Sequence, residues 1–98
     1  MHKIEFSEAA IEDFSDIYHY TVLTFGEKQY EIYEGKFKSA FLKIRNMPTI
    51  GHPRPDLPSE YLCYNMEQHA IIYKVNEANK SISILRVIHT KANFNEQF

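Results

Sequence analysis

The run Ser81-Ile82-Ser83-Ile84-Leu85-Arg86-Val87-Ile88-His89 decides the fold class. It is rich in β-branched residues and alternates with a period of two, which reads as a strand. One face presents Ile82, Ile84, Arg86 and Ile88; the other presents Ser81, Ser83, Leu85, Val87 and His89. The preceding run, His69 to Asn76, also carries apolar residues on both faces: Ile71, Tyr73 and Val75 against Ala70 and Ile72. Glu77 to Lys80 reads as the turn between them. A further strand, Tyr61 to Met66, connects through Glu67-Gln68. Three consecutive strands with short connections form an antiparallel meander.

Upstream, the period changes. PTIGHPRPDLPSE (residues 48–60) holds all four prolines and reads as a loop stiffened by proline. Before it, Tyr30, Tyr33, Phe37, Ala40, Phe41, Ile44 and Met47 follow a helical period that starts near Glu27. Pro48 ends that helix. Ala10, Phe14, Ile17, Tyr18, Thr21, Val22 and Phe25 trace an earlier helical face, with Ser7 as N-cap and Gly26 as terminator. Two helices joined around one glycine form an antiparallel hairpin. His2 to Phe6 alternates and reads as a short strand.

The order is β-α-α-β-β-β. This predicts a single α+β domain over residues 1–98, with the helical hairpin packed on a mostly antiparallel sheet. The hairpin spans about 8–47, the proline-rich loop 48–60, the meander 61–89 and a tail 90–98. A sheet apolar on both faces normally has both covered, and one hairpin covers one. Nine residues follow His89, too few to cover the other. A partner chain is therefore expected there.

The chain has 98 residues and a formal net charge of -2, which excludes a uniformly basic nucleic-acid binder. The charge is unevenly spread: residues 1–34 carry -6 and residues 35–95 carry +5. The single cysteine, Cys63, cannot form an intramolecular disulfide or a thiolate zinc site. The N-terminus lacks the apolar core of a signal peptide, and no apolar run is long enough to span a bilayer. A cytoplasmic protein without a membrane partner is expected.

The five histidines (2, 19, 52, 69 and 89) show no helical i, i+4 pair and no cysteine cluster, so no metal site is expected. No glycine-rich phosphate loop and no nucleophile elbow occur, and no cofactor is expected. The sparse cations remain. Arg86, in an apolar strand, is either a structural ion-pair partner or a functional cation. His89 at a strand end suits packing or capping better than base catalysis. Arg54 and Asp56 are expected to pin the loop to the helices. An RNA-cleaving site would need a base, an acid and a cation for the phosphorane. Here that set reduces to Arg86, His89 and Lys91. Residues 86 and 89 point to opposite faces of a regular strand.

Four stretches carry a resemblance. They are Phe6-Ser7-Glu8-Ala9-Ala10 with Asp13 and Ile17; Phe25-Gly26-Glu27-Lys28-Gln29; Gly51-His52-Pro53-Arg54-Pro55-Asp56-Leu57; and His69-Ala70-Ile71-Ile72-Tyr73 with Ile84-Leu85-Arg86-Val87-Ile88-His89. In that order the chain resembles the ParE branch of the ParE/RelE superfamily, the toxins of bacterial type II toxin–antitoxin modules. It departs from the family pattern after His89, where Thr90-Lys91-Ala92-Asn93 keeps a cation and replaces an acid by an amide.

The resemblance implies a toxin that binds DNA gyrase, has no catalytic site of its own, and is neutralised by a cognate antitoxin in a hetero-oligomer. It implies no sequence-specific DNA binding by this chain alone. Target-binding candidates are Arg86, His89, Lys91 and Asn93. Arg54, Asp56, Gly26 and Tyr73 are motif positions with structural roles. If the chain were instead a ribosome-dependent mRNA endonuclease of RelE type, Arg54, Arg86, His89 and Lys91 would carry catalysis. A non-toxic antitoxin-binding module is the third reading.

Overall fold

The computed structural model of the chain describes residues 2–92. Strand β1 (Lys3–Phe6) leads into helix α1 (Glu8–Phe25) and helix α2 (Glu27–Asn46). A single 3-10 turn, Pro48–Ile50, opens the proline-rich loop. Strands β2 (Leu62–Met66), β3 (His69–Asn76) and β4 (Ser81–His89) follow. The sheet order is β1-β4-β3-β2, with β1 parallel to β4 and the meander antiparallel. The layers and element order match the α+β architecture expected from the sequence. β2 begins one residue later than expected. No helix among the described residues is long and apolar enough to cross a membrane.

Local chemistry sets the helix ends. Ser7 Oγ accepts the Ala10 N–H at 3.0 Å and caps α1. Gly26 takes φ 93°, and its N–H closes α1 on the Val22 carbonyl at 2.9 Å. That left-handed corner is open to glycine and strained for other residues. The chain reverses there, and α2 returns along α1. Phe14 meets Phe37 and Phe41, while Tyr18 meets Tyr30 edge-on at 4.8 Å. These contacts fix the antiparallel arrangement. Tyr18 and Phe25, expected on the buried stripe, are exposed, as is Met47 just beyond α2.

The main core lies between the hairpin and one sheet face. It holds Ala10, Phe37, Ala40, Ile44, Met66, Ile71, Tyr73, Ile82, Ile84 and Val87. The other face is covered by the chain itself, which corrects the expectation of a partner there. Leu57, Cys63, Ala70, Ile72 and Ile88 form a second buried cluster, with Tyr61, Leu85 and Ala92 packed on it. The proline-rich loop folds back over the sheet and supplies Leu57 and Tyr61. A loop of such length with prolines holding its path can lay apolar side chains on a sheet without regular structure.

A β-bulge reorders β4. Ile72 pairs with Arg86 and Tyr73 pairs with Ile84, so Leu85 is the extra residue. The bulge reverses the alternation expected from the sequence. Val87 joins Ile82 and Ile84 in the main core, and Ile88 turns to the second face.

Candidate functional site

β1 pairs with β4 only from Ser81 to Ile84, so the edge of β4 beyond Ile84 needs other partners. The start of α1 supplies them. Ser7 N–H donates to the Ile84 carbonyl at 3.0 Å, and Ser7 Oγ donates to the Leu85 carbonyl at 2.7 Å. Asp13 accepts the Val87 N–H at 2.9 Å. Asp13 also accepts Arg86 Nε and Nη2, each at 2.8 Å. Both side chains are largely buried. The hydrogen bonds to Asp13 push the Arg86 guanidinium further up and outweigh the effect of its burial. Of the two roles open to Arg86, this geometry carries the structural one.

Arg54 pairs with Asp56 inside its own loop. Nε and Nη2 donate to the two carboxylate oxygens at 2.8 Å. The hydrogen bond from Arg54 lowers the Asp56 carboxyl. Arg54 also lies beside Cys63. The pair braces the loop from within, beside Cys63 of the second sheet face. Cys63 is fully buried and burial pushes its thiol up, with the Arg54 charge acting in the opposite sense. Beside it, His52 and Cys63 exchange backbone hydrogen bonds at 3.0 and 2.8 Å and close part of the β2 edge.

Tyr73 anchors the loop at its other end. Its hydroxyl donates to the Pro48 carbonyl at 2.7 Å and accepts the Gly51 N–H at 2.9 Å. A Cβ on Gly51 would stand 2.5 Å from the Tyr73 oxygen, closer than real contacts. Gly51 is therefore required by a close approach and not by its φ.

The bulge brings together two histidines that the sequence reading did not pair. His69 pairs with His89 across β3 and β4, with ring centroids 5.6 Å apart. A regular hairpin would set His69 opposite Ile88. Tyr33 Oη is hydrogen-bonded to His69 Nδ1. Phe37 packs on His69 at 5.9 Å. His69 is held below the ordinary histidine range, chiefly by burial and then by His89, while Asp13 pulls the other way. Tyr33 is pushed up by burial and by Glu67.

Beyond the strand, the Lys91 N–H donates to His89 Nδ1 at 3.2 Å, and Thr90 N–H donates to the Gln68 carbonyl at 2.9 Å. Lys91 itself is exposed. The fourth target-binding candidate, Asn93, lies outside the described residues, as does the rest of the tail from 93.

The two imidazoles line a cleft of about 490 Å³ between the C-terminal half of α1, the N-terminal half of α2 and the ends of β3 and β4. Tyr20 and Phe25 stand at its side, both largely exposed. Leu23, beside them in sequence, is 86% exposed. This end of the hairpin is an apolar surface with a histidine-lined cleft beneath it. Among the described residues, no group of three or more His, Cys, Asp or Glu side chains could hold a metal ion.

A helical hairpin stitched to β4 through an acid–arginine pair, above a mixed four-stranded sheet, defines a small two-layer α+β domain. The family model for the ParE toxin of the type II toxin–antitoxin system parDE matches residues 4–94, and the chain belongs to that family. Solved structures share the fold. The chromosomal ParDE toxin–antitoxin system from P. aeruginosa matches with a TM-score of 0.78 at 18% identity, over 93% of this chain and 98% of that one. The RelBE2 toxin–antitoxin complex from Mycobacterium tuberculosis matches at 0.66 and 17% identity, over 90% and 96%. The intact RelBE complex from E. coli matches at 0.64 and 14% identity, over 94% and 100%. No curated protein sequence matches the chain.

Proposed function

We infer that this chain is a toxin that arrests growth by binding DNA gyrase, and that a cognate antitoxin neutralises it in a hetero-oligomer. The observation that carries this reading is the ParE family match over residues 4–94, nearly the whole chain. The ion pairs add support. Arg54 and Arg86, two of the cations that phosphodiester cleavage would call on, are each held by a carboxylate in a bidentate pair. A guanidinium neutralised in this way is a poor stabiliser of phosphorane charge. Binding without catalysis asks less of them. His89 and Lys91, with Asn93, remain the target-facing candidates at the end of β4. For the antitoxin, the apolar end of the hairpin around Tyr20, Leu23 and Phe25 offers a surface, and a segment that folds on binding can wrap it.

One observation favours a second reading, RNA cleavage on the ribosome. The His69–His89 contact places two imidazoles, the usual acid–base groups of such chemistry, side by side. Induction in cells separates the two. Gyrase binding predicts loss of negative supercoiling in a reporter plasmid with intact messages. Cuts in mRNA mapping to the ribosomal A-site, with supercoiling unchanged, would reverse the assignment. Unimpeded growth on strong induction without antitoxin would leave only the antitoxin-binding module.

A further inference from the structure

We propose that the outward face of α2 is a self-association surface, on which a second copy of this chain packs antiparallel about a two-fold axis at the level of Phe37. Phe37, Ala40 and Ile44 mark the buried side of α2. On the opposite side Lys28, Ile32, Gly35, Ser39, Leu42 and Asn46 follow one another at alternating steps of four and three, and all are exposed. Ile32 and Leu42 are aliphatic and half open to solvent, at 50% and 49%. Between them Gly35 sits in the interior of a helix, where glycine costs stability. A Cβ there would meet nothing within 4 Å, so the chain's own packing gives no reason for it. Glycine at such a position fits the close approach of another backbone.

The residues on either side of Phe37 identify the occupant. A two-fold axis sets every α2 residue against the one equally far from Phe37 in the second copy. Ile32 of one copy then meets Leu42 of the other, Gly35 meets Ser39, and Glu31 meets Lys43, each pairing occurring twice. Aliphatic falls on aliphatic, small on small and acid on base. A partner of unrelated sequence would not require such a match about one point. Among the described residues, neither Glu31 nor Lys43 has an ion-pair partner in its own chain. The charge along the helix has the same sense. Glu27, Glu31 and Glu34 precede Phe37, while Lys38, Lys43 and Arg45 follow it. An antiparallel pair sets opposite signs together, and a parallel pair would not. Lys36 and Lys38 approach one another across the rim, but each already has a carboxylate, Glu67 at 2.8 Å and Glu34 at 3.7 Å. The dimer is independent of which target the toxin binds.

Sedimentation equilibrium of the purified full chain at low salt tests it. One helix face makes a small contact, so a dissociation constant of roughly 10–100 μM is expected. Glu31→Lys and Lys43→Glu should each weaken the dimer about fivefold, since each turns two attractive pairs into repulsive ones. Both side chains are exposed, so both variants should fold. Mixed in equal amounts, the two variants should associate as tightly as the parent, and so should the double variant. Gly35→Gln should raise the thermal midpoint of the dilute monomer while weakening the dimer about tenfold. A chain that stays monomeric up to about 1 mM overturns the proposal. So does a dimer that ignores the single charge reversals, is not restored by mixing them, or is unaffected by Gly35→Gln. A chain that covers Ile32 and Leu42 only when its cognate antitoxin is added also overturns it, and assigns the face to that protein.

Discussion

Asp13 accepts three hydrogen bonds from β4, two from Arg86 and one from the Val87 N–H. Its carboxylate therefore completes the strand edge that β1 leaves short. Asp13→Ala removes a charged partner from a largely buried guanidinium and strands a backbone N–H. The expected cost is about 3 kcal/mol, measured as a fall in denaturant midpoint at unchanged m-value. Loss of toxicity in Arg86→Ala should accordingly come with loss of stability. Tyr73 serves the loop as Asp13 serves the edge. Tyr73→Phe frees the Pro48 carbonyl and the Gly51 N–H and should cost about 1–3 kcal/mol. Gly51→Ala forces the same tyrosine ring to move, because the new Cβ has no space. It should destabilise in the same range, and in a Tyr73→Leu background most of that penalty should vanish.

At the scale of elements, Ser7 couples a helix to a sheet. The hydroxyl caps α1 through Ala10 and donates to the Leu85 carbonyl. Ser7→Ala loses both bonds, and about 1–2 kcal/mol is the expected loss in equilibrium unfolding. The elements themselves were legible in the sequence. The 3.6-residue stripe, the Ser7 cap, Gly26 and Pro48 delimit the two helices, and alternation with turn residues delimits the meander. Two features were not. A bulge at Leu85 needs only one extra residue, and neither composition nor period marks it inside Ile84-Leu85-Arg86-Val87. Yet it reverses the faces of Val87 and Ile88 and sets His69 opposite His89. The second concealed feature is the loop's coverage of the sheet. Leu57 and Tyr61 stand apart in a proline-rich run, and nothing periodic shows that they pack on Cys63 and Ile72.

For the molecule as a whole, the consequence is a sheet with a buried cluster on each face, and exposed large apolar residues that lie mostly along the helices, from Ile11 to Leu42. Tyr20 and Phe25 line the histidine cleft at the hairpin end, both exposed. Acid should weaken the entire fold. Burial holds His69 below its unfolded value, which is about 6.5. As pH falls below that value, the unfolded chain takes up a proton that the folded chain refuses. Stability from this group is thus full above about pH 6.5 and declines toward the folded midpoint. Urea midpoints at pH 7.5 and 5.5 should show a loss in the parent that is smaller in His69→Phe.

The uneven charge, -6 over residues 1–34 and +5 over residues 35–95, suits a protein that acts on another protein. The most direct test of that account is a supercoiling assay with purified gyrase, ATP and relaxed plasmid. Micromolar toxin should inhibit supercoiling and accumulate cleaved plasmid covalently attached to gyrase, and equimolar antitoxin should reverse both. Undiminished supercoiling with no cleaved product would contradict gyrase as the target.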